Sequence, residues 1–157
     1  MPKKNEEVFF VLERIKTLTS LLRVFDLIHY HYSIRSLPQN FKSVEEVRES
    51  QSTLYIIVLS YLYSLFDRTG LDITNLEKLS LSLSTRNKLN EILELWKPLK
   101  APITKIRHNL GFHGGKLPQF THAYKGVINI DDNNLVPAIV LLFDKLESFS
   151  KILEHEL

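Results

Sequence analysis

Apolar residues recur at three- and four-residue steps between positions 6 and 32: Val8, Val11, Leu12, Ile15, Leu18, Leu22 and Phe25. That spacing predicts an amphipathic helix. His29 continues the stripe, and with His31 it falls in a His-Tyr-His-Tyr run that reads as packing at the edge of a core. Pro38 disfavours helix at Leu37, so the helix is expected to fail around Ser33 to Pro38. Ser43 with Glu46 three positions later forms a capping box at the start of a second helix. Val44, Val47, Gln51, Leu54, Val58, Tyr61 and Leu65 make one face, and Tyr55, Leu59, Leu62 and Phe66 make another. A helix apolar on two sides is buried on more than one side, as the centre of a bundle or at a subunit interface. It is expected to reach about Arg68 and to end at Gly70.

Residues 71–83 show poor periodicity and read as a loop with at most a short turn. Ser84 or Thr85 is the expected cap of a helix carrying Leu89, Ile92, Leu93 and Trp96. Pro98 disturbs the pattern, which resumes through Leu99, Ile103, Ile106 and Leu110. Either a kinked helix continues, or a new one begins with Pro102 in its first turn. Gly111 and the Gly114-Gly115 pair are expected to stop it. Residues 114–134 form a long connection in which Val127 to Ile130 could be a short strand without a clear partner. Asp131 to Asn134 then caps a last helix with Pro137 in its first turn and Leu135, Ile139, Leu142, Phe143, Leu146, Phe149 and Leu153 on one face. The expectation is an all-α fold: one domain over residues 1–157, an antiparallel bundle of four to five helices with a long loop before the last.

Composition narrows the function. A chain of 157 residues with 44% apolar content is long enough to bury a core. It has no cysteine, which excludes disulfides and thiolate metal sites and suits a reducing cytoplasm. The charged N-terminus shows no signal-type cleavage site, and the apolar run from Leu54 to Phe66 is too short to span a bilayer. The net charge of +2 is uneven. From Leu95 to Ile130 there is no Asp or Glu, while Lys97, Lys100, Lys105, Arg107, Lys116 and Lys125 supply +6. Such a field attracts anions, although a merely solvated basic face has the same composition.

Within that window Lys105 to Gly115 concentrates the chemistry: Arg107, His108, Asn109 and His113, then a glycine pair. On one continuous helix Arg107 and His113 would diverge by about 120°. Gly111 permits the backbone turn that would bring them together. Asn109 lies four before His113 and could orient its ring or cap the last carbonyls. Arginine grips phosphate bidentately and stabilises a pentacovalent phosphorane, and histidine moves protons near neutrality. RNA brings its own nucleophile, the 2′-hydroxyl, so the route requires neither metal nor cofactor. It does require both an acid and a base, which a symmetric dimer would supply as two copies of the pair.

An arginine, a polar residue, and a histidine after four to six intervening positions mark the HEPN superfamily of helical proteins. Arg107, His108 and His113, with five intervening, resemble that motif. The helix ending Leu65-Phe66-Asp67-Arg68 looks like its counterpart in the branch related to phage abortive-infection proteins. The likeness spans roughly residues 44–115 plus the final helix. It implies a dimeric bundle with two motifs across one cleft and, in many members, metal-independent endoribonuclease activity. It also implies toxin–antitoxin or antiphage systems, with an antitoxin or nucleotidyltransferase partner. His113 would be catalytic, Arg107 would bind phosphate, His108 would be the polar position, and Asp67 a supporting carboxylate. Lys100, Lys105, Lys116 and Lys125 would hold RNA.

Blander readings compete. Arg107 could pair with helix-end carbonyls, and His113 could pack in a loop. His108 could face solvent. His122, Tyr124 and Lys125 could clasp RNA, although a solvated loop explains them as well. A zinc site from His108, His113 and His122 is disfavoured because the window holds no acid and no i, i+4 ligand pair. A non-catalytic module that binds a nucleotide or a partner protein is the main alternative function, and a purely structural helical dimer is the third.

Overall fold

A computed structural model describes residues 3–33, 43–68, 70, 72–110 and 135–157. Side chains at 25–33, 44, 45, 47, 48, 51, 52, 109, 110 and 136 fall outside that description. Expectations for Phe25, His29, His31, Val44, Val47 and Gln51 therefore lie outside it, as do those for Gly111, the 114–134 connection and its Val127–Ile130 strand, and the Asp131–Asn134 cap.

The described chain is all-α: α1 (Lys3–Ser33), α2 (Val44–Ser64), a 3-10 turn (Ile73–Lys78), α3 (Leu83–Leu110), α4 (Leu135–Leu153) and a final 3-10 turn (Glu154–Glu156). Helix α1 packs on α2 and α4, and α3 packs on the same two, which makes a four-helix ring. Cross-helix contacts fix the directions. Arg14 donates to Ser64 Oγ at 2.8 Å, which sets the first half of α1 beside the end of α2. Lys4, Lys16 and Arg23 pair in that order with Glu156, Glu154 and Glu147, so α1 and α4 are antiparallel. Lys145 reaches Glu91 at 2.6 Å while Glu156 meets Thr85, so α3 and α4 are antiparallel as well.

The predicted apolar faces become the core. Val8, Val11, Leu12, Ile15 and Leu18 of α1 are buried, and so are all seven positions predicted for α4. Both stripes of α2 contribute, through Val58 and Leu65 on one and Leu59, Leu62 and Phe66 on the other. The two stripes answer to two neighbours, α1 and α3, so α2 is one member of a ring rather than a central helix.

Two boundaries correct the sequence expectation. Helix α2 ends at Ser64 with Leu65 as its cap, and the Leu65 and Phe66 amides bond back to Tyr61, Leu62 and Tyr63. The left-handed residue after it is Arg68, with φ 59°, not Gly70. The chain turns early because the Ile73 amide donates to the Leu65 carbonyl at 2.9 Å, which folds the 3-10 turn back onto the helix end. Buried Asp72 caps that turn, one carboxylate oxygen accepting from the Thr74 amide at 2.7 Å and its hydroxyl at 2.6 Å. Helix α3 starts earlier than expected, and its cap is Ser82 instead of Ser84 or Thr85. Ser82 Oγ accepts from the Thr85 amide at 3.3 Å, and Arg86 donates to the Ser82 carbonyl at 3.0 Å.

Of the two readings of the Pro98–Pro102 region, the continuous one holds. Helix α3 runs 28 residues with both prolines inside it. Each proline removes one backbone hydrogen bond, a cost offset here by the burial of Leu99, Ile103 and Ile106 around them.

Candidate nucleic-acid interface

The far half of α3 carries the candidate residues, and its exposed side has one sign of charge. No acid follows Glu94 in this helix, while Lys97, Lys100, Lys105 and His108 are exposed. Lys97 is engaged by Glu94 at 2.5 Å. Lys100 precedes Arg107 by seven positions, which places the two within about 20° of each other around an ideal helix.

Arg107 itself is partly buried. Its guanidinium carbon lies 4.5 Å from the centroid of the Tyr63 ring on α2. Tyr63 in turn meets Trp96 edge-on, with centroids 6.2 Å apart and the planes at 67°. Trp96 stacks on Phe66 at 4.4 Å and 11°. The α2–α3 seam is thus an aromatic wedge whose open end holds a cation. The sequence produces it simply: Tyr63 and Phe66 are three apart on α2, and Trp96 and Arg107 are eleven apart on α3, about 20° from alignment.

Among the described residues no carboxylate or carbonyl accepts a hydrogen bond from the Arg107 side chain. The bland reading, in which it caps helix-end carbonyls, finds no such bond there. The guanidinium carbon sits over the face of the Tyr63 ring. Arginine stacked on an aromatic keeps its charge and its fork of donors, which suits an oxyanion.

The remaining predicted residues divide. His108 is exposed in the last described turn of α3, beside Arg107 in sequence and engaged in a contact of its own. Lys105 is likewise exposed and engaged. Asp67 follows Phe66 just past the end of α2, partly exposed and also engaged, at the helix end that carries the aromatic pair. Asn109 lies in α3 with its side chain outside the description. His113, Lys116 and Lys125 lie outside the described residues, so the turn that would bring His113 back to Arg107 does too. Among the described residues no group of three or more potential metal ligands forms, and no helix is long and apolar enough to cross a membrane.

Sequence reasoning missed Tyr63, which belongs to neither stripe of α2, and took Trp96 and Phe66 as core alone. The signal was the one aromatic of α2 outside both stripes, set opposite a helix with an arginine and the chain's single tryptophan on one side. No protein-family model, no curated protein and no solved structure matches this chain.

Proposed function

We propose that this protein is a cytoplasmic, HEPN-like endoribonuclease that cleaves RNA without a metal ion, at a site completed by a second copy of the chain. The observation that supports it most is Arg107, partly buried against Tyr63, its guanidinium without a hydrogen-bond acceptor among the described residues and on a helix half without acids. A guanidinium so held is suited to the phosphate of the scissile bond.

In the proposed reaction a histidine takes the proton from the 2′-hydroxyl, and the oxygen attacks the adjacent phosphorus. Arg107 stabilises the extra charge on the phosphorane oxygens. The bond to the 5′-oxygen breaks as an acid protonates that leaving group, which yields a 2′,3′-cyclic phosphate and a 5′-hydroxyl. His113 would serve as one proton-transfer group. The second would be His113 of the other copy or His108, because one chain offers no assured pair. A toxin–antitoxin or antiphage role, with an antitoxin or nucleotidyltransferase partner, is the setting the motif resemblance implies.

The test is incubation of purified protein with RNA in EDTA, beside Arg107→Ala and His113→Ala. Cleavage by the wild type and loss in both variants is the expected result. Intact RNA together with saturable binding of a nucleotide or a protein partner would favour the non-catalytic module. Sedimentation at micromolar concentration is expected to show a dimer, and a monomer would remove the composite site.

A further inference from the structure

Tyr63 and Trp96 carry no polar chemistry that the proposed reaction uses, yet Tyr63 contacts Arg107, the phosphate-binding residue of that reaction, and Trp96 contacts Tyr63. Arginine has several rotatable bonds, and an exposed arginine samples many of them. Here the Tyr63 ring lies 4.5 Å from the Arg107 guanidinium carbon, and Trp96 meets Tyr63 edge-on with centroids 6.2 Å apart. Trp96 is fixed in turn by its stack on Phe66 and is 6% exposed. The chain of contacts therefore runs from a rigid core residue to a cation near the surface. Among the described residues the Arg107 side chain makes this ring contact and no ion pair with a carboxylate.

We infer that Tyr63 is a positioning residue that holds the guanidinium of Arg107 flat against its ring, so that the N–H edge faces a phosphodiester oxyanion, with Trp96 as the brace behind it. This inference rests on the reading of Arg107 as the phosphate-binding residue. The interaction is with the π face, so the ring is required and the phenolic hydroxyl is not. Lysine cannot replace Arg107, because a point charge lacks the flat surface and the fork of donors.

The first measurement needs no ligand. The Arg107 Nε–H proton in the full chain is expected upfield of ordinary arginine signals through the Tyr63 ring current, assigned by its loss in Arg107→Ala. Tyr63→Phe should keep that shift, and Tyr63→Leu should lose it. The second measurement is binding of a 2′-O-methyl oligoribonucleotide, which presents phosphodiesters but cannot be cleaved. Tyr63→Phe should bind like the wild type, while Tyr63→Leu and Arg107→Lys should bind roughly tenfold more weakly. Fluorescence of Trp96, the single tryptophan, reports whether each variant retains the seam. If Tyr63→Leu does not fold, the wild-type proton shift and the Tyr63→Phe and Arg107→Lys affinities still decide. An unshifted proton overturns the inference, as does tight binding by Tyr63→Leu, weak binding by Tyr63→Phe, or no binding by the wild type. Retention of this pattern in a protein that cleaves no RNA would overturn the nuclease reading alone.

Discussion

The carboxylate of Glu156 accepts a hydrogen bond from the Thr85 hydroxyl at 2.7 Å, across 71 positions of sequence. The same oxygen accepts from the Ser82 amide at 2.9 Å, and the other meets the Lys4 ammonium at 3.0 Å. One side chain from the final turn thus ties the first turn of α3 to the first turn of α1. An anion at a helix N-terminus is also favoured by the helix dipole.

That clamp predicts acid sensitivity. Burial alone would push the Glu156 carboxyl up, but hydrogen bonds from Thr85 and Ser82 and the Lys4 contact outweigh it and lower it to about 2. A carboxyl depressed in the folded state stabilises above its unfolded pKa, near 4.5, and loses that contribution as pH falls toward 2. Glu156→Gln should therefore cost on the order of 1–3 kcal/mol at pH 7 and much less at pH 3. Urea denaturation at both pH values checks this. An equal cost at both would mean that the charge of Glu156 contributes nothing.

Arg68 is the non-glycine residue with positive φ among those described, at 59°, and it is exposed. The left-handed region costs an L-residue roughly 1–2 kcal/mol, and glycine avoids that cost. Arg68→Gly should accordingly raise the melting temperature, by about 0.5–1 kcal/mol of stability once the extra freedom of the unfolded chain is counted. Arg68→Val should lower it. The reverse order would show that the Arg68 side chain outweighs its backbone strain.

Trp96 joins the core to the candidate site. Trp96→Ala should cost about 3–5 kcal/mol by leaving a cavity beside Phe66. Trp96→Phe keeps a stacked ring and should cost less than half as much. Thermal unfolding measures both. Equal losses in the two variants would place the value of Trp96 in its size rather than in the stack.

Lys100 is exposed on the side of α3 that carries Arg107. If that side tracks a phosphate backbone, Lys100→Ala should weaken binding of a non-cleavable RNA uniformly across sequences. It should also reduce the salt dependence, by about 0.7 in the log–log slope for single strands. Binding titrations at several salt concentrations read both. An unchanged slope would remove Lys100 from the path of the RNA.

Much of this fold is legible in the sequence, for identifiable reasons. Val8 through Leu18 and Leu135 through Leu153 give clean helical stripes because each helix buries one broad face. The Ser43 cap is local, and its oxygen does accept from the Glu46 amide, at 3.2 Å. What escaped depends on contacts that local spacing does not encode. The end of α2 at Ser64 follows from the Ile73 amide folding back on Leu65, which no glycine announces. Ser82 rather than Ser84 caps α3 where Glu156 also docks, a choice among nearby serines that local spacing cannot make. The prolines of α3 argue for a break locally, and burial on either side overrides them. At the candidate site, Arg107 stands out in the sequence, but its contact with Tyr63 arises only when α2 and α3 come together.

In the proposed reaction RNA supplies the attacking group and this protein supplies the rest. This is tested most directly with a labelled oligoribonucleotide cleaved by the wild type in EDTA, beside a copy carrying one 2′-deoxy residue at the mapped cleavage position. A 2′,3′-cyclic phosphate end is expected from the first and no cut at that position from the second. Cleavage at the deoxy position, or a 5′-phosphate product, would contradict it.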